Sequence, residues 1–153
     1  MILQNLGIIK NLKNEGKKIV FTNGCFDIIH AGHIQYLQEA KALGDILIVG
    51  VNSDASVKRL KGNSRPINFE DDRLIVLDAL KPVDYVILFD EDTPFNLIKA
   101  IIPDVLVKGG DWKIEDIIGY DIVTQNGGKV KSLSFKKGIS TTEIIKRIKK
   151  DEL

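Results

Sequence analysis

Thr22-Asn23-Gly24-Cys25-Phe26-Asp27-Ile28-Ile29-His30-Ala31-Gly32-His33 is the densest polar signal in the chain, and it starts where the apolar run Ile19 to Thr22 ends. The run reads as a strand. Beyond His33, Ile34, Leu37 and Ala40 recur at helical spacing and Gly44 suits a C-terminal cap, so a helix follows. A loop that passes from a strand end into a helix N-terminus presents unpaired N–H groups and a favourable dipole end to an anion. Gly24 and Gly32 let the backbone come close to such a ligand. His30 and His33 are the two histidines of the chain, and both fall in this turn. Their imidazoles add side-chain donors for phosphate oxygens and for charge that grows on them during transfer. Zinc held by Cys25, Asp27, His30 and His33 is an alternative use of the same atoms, although the spacing matches no common zinc signature. Cys25 itself reads as a small half-buried residue rather than a nucleophile, because no base is placed to serve a covalent route.

Working outward, Ile46 to Val51, Tyr85 to Phe89, Val105 to Val107 and Val130 to Leu133 also read as strands, most of them apolar on both faces. Strands without alternation, separated by helix-length segments, predict a doubly wound α/β sheet of about five parallel strands with helices on both faces. Asp71 to Leu80 and Thr142 to Lys150 read as helices, as does the amphipathic stretch 1–17. No repeat or Pro/Ser-rich linker breaks the chain, so 1–153 is expected to be one domain with its core at about 18–148.

The composition fits that picture. With 153 residues and 44% hydrophobic content, the chain can bury a core without metals or disulfides. Twenty-two basic against 21 acidic residues leave a net charge of +1, which excludes a global field for nucleic acid or an anionic membrane. One cysteine makes no disulfide framework, no apolar run is long enough to span a bilayer, and the N-terminus has no signal-peptide pattern, so a cytoplasmic location is expected. The last four residues, Lys150 to Leu153, spell a luminal retention signal. Without an entry signal they read as the charged end of a final helix.

Further candidate residues gather after other strands, where ligands of such sheets bind. Lys58, Arg59, Lys61 and Arg65 place four cations in eight residues, which reads either as a solvated basic loop or as a flexible loop that closes on a triphosphate. Arg73 sits at a helix start, where a cation is dipole-unfavourable, and invites a phosphate role or a surface salt bridge. Gly109 and Gly110 permit close backbone approach, Asp111 offers acceptors to ribose hydroxyls, and Trp112 either covers a base or sugar or simply packs. Ser140, Thr141 and Thr142 precede a helix, which one of them caps.

His30-Ala31-Gly32-His33 resembles the HxGH signature of the cytidylyltransferase-like nucleotidyltransferases, and Thr22 to Asp27 resembles their first-strand loop. Asn52-Ser53-Asp54, Lys108-Gly109-Gly110-Asp111-Trp112 and Gly138-Ile139-Ser140-Thr141-Thr142 follow in the family's order, so the likeness runs from about Lys18 to Ile148. Asn52 to Gly62 with Ser64-Arg65-Pro66-Ile67-Asn68 looks like the heptose 1-phosphate branch of that family. The resemblance implies a Rossmann-like nucleotidyltransferase that joins heptose 1-phosphate to the nucleotide of ATP, with magnesium on the triphosphate, and releases pyrophosphate. It implies an ADP-heptose or GDP-heptose product for lipopolysaccharide or another surface glycan, a stand-alone transferase without the fused sugar kinase, and a homodimer. It places nucleotide contacts at Thr22 to Phe26, at the two histidines, at Arg73, at Lys108, Gly109 and Asp111, and at Ser140 to Thr142. Catalytic cations are expected from Lys58 and Lys61, and acceptor contacts from Asp27, Arg65 and Trp112; no residue is assigned to metal. Lys137-Gly138-Ile139-Ser140-Thr141-Thr142 is also similar to enzymes that join glycerol 3-phosphate to CTP, and a non-catalytic nucleotide-binding module keeps the same loops.

Overall fold

The computed structural model describes residues 1–135 and 138–150. Lys137 and the last three residues of the retention-like tetrapeptide lie outside the described residues. Among the described residues, six parallel strands form one sheet in the order β1-β4-β3-β2-β5-β6: β1 (Ile2–Leu3), β2 (Ile19–Gly24), β3 (Ile46–Asn52), β4 (Tyr85–Phe89), β5 (Val105–Gly109) and β6 (Lys129–Leu133). The expected doubly wound architecture is present. Successive strand side chains point to opposite faces, and here both faces are buried. Val20, Val49 and Val107 face one core with Leu37 and Leu77, whereas Ile19, Phe21, Ile48 and Leu106 face the other with Ile98 and Ile101. Each fully buried Leu, Ile or Phe contributes about 2 kcal/mol of hydrophobic stabilisation.

Six α-helices connect the described strands, α1 (Ile8–Asn14), α2 (Ala31–Lys41), α3 (Asp54–Lys61), α4 (Glu70–Asp78), α5 (Phe95–Ile101) and α6 (Tyr120–Gln125), and α7 (Thr141–Lys150) follows β6. Through their buried side chains, α2 and α4 cover the first core and α1, α5 and α6 the second.

Two expectations are corrected. The stretch 1–17 is not one helix: Ile2 and Leu3 pair with Val86 and Ile87 as an edge strand, and Asn5 then turns the chain by accepting the Gly7 N–H at 2.9 Å. Three of the four cations after β3 do not belong to a loop: Lys58, Arg59 and Lys61 form the last turn of α3, and Arg65 alone lies in the connection to α4. Ser53 caps that helix by accepting the Ser56 N–H at 3.1 Å, Asp54 opens it, and the three cations complement its C-terminal dipole.

Candidate active site

A cavity of about 590 Å³ opens at the carboxyl ends of β2, β3 and β5. Its floor is the point at which β2 pairs with β3 on one side and β5 on the other, the switch point that binds ligands in open α/β sheets. Asn23, Gly24, Cys25 and Phe26 line it from the β2 end, Lys108 and Gly109 from the β5 end, and Ser140, Thr141 and Thr142 from the start of α7.

The loop between β2 and α2 folds tightly. Phe26 adopts a left-handed φ of 48° and its buried ring turns back beneath the chain, where a Cβ on Gly24 would meet it at 2.9 Å. The strained backbone costs on the order of 1–3 kcal/mol, of the kind that collects at functional loops. The ring also supports His33, 5.4 Å away between centroids.

His30 and His33 cap α2 reciprocally. The Gly32 N–H donates to His30 Nδ1 at 3.1 Å, and the His30 N–H donates to His33 Nδ1 at 3.3 Å. With both Nδ1 atoms accepting, the neutral rings carry their protons at Nε2. The rings lie 3.9 Å apart, so charging one opposes charging the other. Burial lowers the His30 pKa; burial and then the His30 charge push His33 down to about 4. At neutral pH the unliganded pair consists of two uncharged Nε2–H donors at the cavity wall.

Asp27 holds a second set of bonds. Its carboxylate accepts from Arg65 Nε at 2.7 Å, the Ile67 N–H at 2.9 Å and the Asn68 N–H at 2.8 Å, while Asn68 Nδ2 donates to the Asp27 carbonyl at 2.7 Å. Burial opposes ionisation of this carboxyl, but the Asn68 and Ile67 N–H groups and Arg65 outweigh it and hold the pKa below the usual carboxylate range. Asp27 belongs to the cavity lining, yet its carboxylate oxygens already accept from these protein donors. Arg65 and Lys61 do reach the cavity lining.

Arg73 is also corrected. Its fully buried guanidinium donates to the carbonyls of Asn68, Cys25 and Asn52 at 3.0, 2.7 and 2.7 Å and to Asp54 Oδ1 at 2.9 Å. It ties four segments together instead of reaching a phosphate. The Thr22 hydroxyl likewise turns inward, to Tyr36 at 2.5 Å and the Val107 carbonyl at 2.9 Å, so it braces β2 against β5 rather than contacting a nucleotide.

Lys58, Asp111 and Trp112 lie outside the cavity lining. Lys58 sits one turn back from Lys61 on α3. Gly110, at a φ of +104°, turns the chain towards β6, where its N–H donates to the Leu133 carbonyl at 2.8 Å. Trp112 then packs against the outside of the wall: its Nε1–H donates to the Gly109 carbonyl at 3.0 Å, and Lys108 Nζ stands 5.0 Å from the ring centroid. Burial lowers the Lys108 pKa. Ser140 caps α7 by accepting the Glu143 N–H at 3.0 Å, and the Thr141 hydroxyl donates to the Ile28 carbonyl at 3.2 Å, which docks α7 on the histidine loop.

The structure adds lining residues that sequence reasoning missed. Asp92, Thr93 and Pro94 follow β4, and Phe135 leans over Gly109, where an added Cβ would collide with its ring. The strand-end rule applied to β4 finds the first group; nothing in the residue letters points to the second.

A family model described as cytidylyltransferase-like matches residues 21–147. Bifunctional protein HldE of Campylobacter concisus is 63% identical over 133 residues, which cover 87% of this chain and 27% of that protein. Bifunctional protein HldE of Wolinella succinogenes is 59% identical over 141 residues, 92% of this chain and 29% of that protein. The chain thus spans less than a third of the length of these relatives. A solved structure described as the lipopolysaccharide core biosynthesis protein from Thermoplasma volcanium is 36% identical, with a TM-score of 0.65, 81% of this chain covered and 100% of that one. Pantoate-beta-alanine ligase from Francisella tularensis, at 15% identity and a TM-score of 0.62 over 100% of this chain and 78% of that one, shares the fold.

Proposed function

Because the chain belongs to the cytidylyltransferase-like family, we propose that it transfers AMP from ATP to heptose 1-phosphate, giving ADP-heptose and pyrophosphate for a surface glycan such as lipopolysaccharide. The observation that carries the transfer is the reciprocal cap of His30 and His33, which leaves two Nε2–H donors on a cavity that also receives the α7 start. The heptose acceptor rests on the likeness of residues 52–68 to that branch and on the lipopolysaccharide context of one structural relative.

In this reading the triphosphate lies between the histidines and the N–H groups of Ser140 to Thr142, with Lys61 and Lys108 adding charge. An oxygen of the sugar 1-phosphate attacks the α-phosphorus in line. The bond from that phosphorus to the bridging oxygen of the β-phosphate breaks, and pyrophosphate leaves with the electron pair. The nucleophile is already an anion, so alignment and charge neutralisation supply the rate enhancement. The cavity carboxylates Asp27 and Asp92 are paired with Arg65 and Arg59; magnesium would enter with the triphosphate and would neutralise its charge. We further propose a cytoplasmic homodimer. Phe69 and Ile75, 65% and 60% exposed at α4, are the apolar side chains offered for that contact.

The test measures pyrophosphate release with magnesium, crossing ATP, GTP and CTP against both anomers of heptose 1-phosphate and against glycerol 3-phosphate. Turnover with ATP and one heptose anomer is expected. Turnover confined to CTP and glycerol 3-phosphate reassigns the substrates, and nucleotide binding without turnover replaces catalysis with sensing.

A further inference from the structure

Resting on the nucleotidyl-transfer reading, we propose that Asp27 is a positioning residue that aims Arg65 at the phosphate of the acceptor. Of the Arg65 donors, the Asp27 carboxylate, 1% exposed, accepts the Nε–H alone, and among the described residues no acceptor is bonded to the two terminal amino groups of that guanidinium. An arginine gripped through Nε keeps its end-on fork, which matches two oxygens of a phosphate. Arg65 is itself only 14% exposed and lines the cavity near Lys61, so its fork has one open direction, the cavity.

The arrangement also resolves an electrostatic conflict. A bare carboxylate beside a site for two phosphorylated substrates repels both of them. Here Arg65 and the N–H groups of Ile67 and Asn68 occupy the Asp27 oxygens, so its charge is spent within the protein. The same bonds fix residues 65–68 relative to the β2 loop. The acceptor arginine is thereby held against the histidine loop across 38 residues of sequence.

Steady-state kinetics and calorimetry with heptose 1-phosphate and ATP test this. Asp27→Asn keeps shape and an oxygen for the N–H groups but loses the grip on Nε, so the acceptor KM should rise about tenfold. The ATP KM and the ATP Kd should stay within about twofold, a split that general loosening of the loop does not produce. Arg65→Lys keeps the charge but has no fork and should show the same split, which guards against an Asp27→Asn chain that folds poorly. If Asp27 acts through Arg65, adding Asp27→Asn to Arg65→Ala raises the acceptor KM no further. Additive effects, or equal rises in both KM values, overturn the inference while leaving the reaction intact. A wild-type protein that binds ATP but neither heptose 1-phosphate nor glycerol 3-phosphate overturns the inference together with the reading beneath it.

Discussion

The two walls of the cavity are built on different principles. On the α3–α4 side, Asp27 and Arg73 are buried charges that join the β2 loop to segments 38 to 48 residues away, and their bonds end on protein atoms. On the β5–α7 side, Trp112 and Phe135 are 50% and 47% exposed, and the long-range ties are made by neutral hydroxyls, Thr22 on the Val107 carbonyl and Thr141 on the Ile28 carbonyl. The first wall is set when the chain folds. The second presents exposed aromatic rings and backbone. In the proposed transfer the α3–α4 wall fixes the arginine that meets the acceptor phosphate, whereas the β5–α7 wall receives the nucleotide.

Arg73→Ala puts the most strain on that contrast. It removes a fully buried guanidinium and strands the Asn52 carbonyl it serves, so unfolding free energy measured in urea should fall by about 3–5 kcal/mol. A loss comparable with that of an exposed substitution, about 0.5 kcal/mol or less, erases the distinction between the walls.

His30→Ala and His33→Ala come next. Each removes one donor from charge developing on the phosphates, and each should lower kcat by about 10²- to 10³-fold with a folded protein. The pair also carries a pH signature. Both histidine pKa values are depressed in the fold, so the unfolded chain binds more protons as pH drops below 6.5. The stability from the uncharged rings is complete above that value and is lost as pH falls towards the His33 value of about 4. Melting curves between pH 7 and pH 4.5 should therefore show a smaller acid loss for His33→Asn than for wild type.

The rigid wall was also the harder one to read in the sequence. The sheet was legible because β2, β3 and β5 are apolar on both faces, and the histidine loop because its glycines and histidines sit at a strand-to-helix junction. What Asp27, Thr22 and Arg73 do was not legible, since a polar residue in a phosphate loop carries the same letter whether it faces a ligand or a carbonyl. Helix α3 was hidden by its cations, although the Ser53 cap and the basic last turn were both visible signals. Strand β1, two residues long, has no periodicity to detect.

The flexible wall predicts small effects, and Gly109→Ala separates its two functions. The new Cβ displaces Phe135, but a ring 47% exposed can swing into solvent, so the stability cost should be about 1 kcal/mol or less. The ATP KM should nevertheless rise severalfold, because the displaced ring lies on the cavity lining. Trp112→Phe is smaller still. It loses the indole N–H bond to the Gly109 carbonyl and weakens the contact with Lys108, which at an exposed ring amounts to about 0.5–1 kcal/mol. With Trp112 outside the lining, kcat and the acceptor KM should stay within about twofold of wild type. A tenfold change for the worse in either value makes Trp112 a substrate contact after all, and requires the turn after β5 to close over the ligand into a wall as fixed as the one opposite.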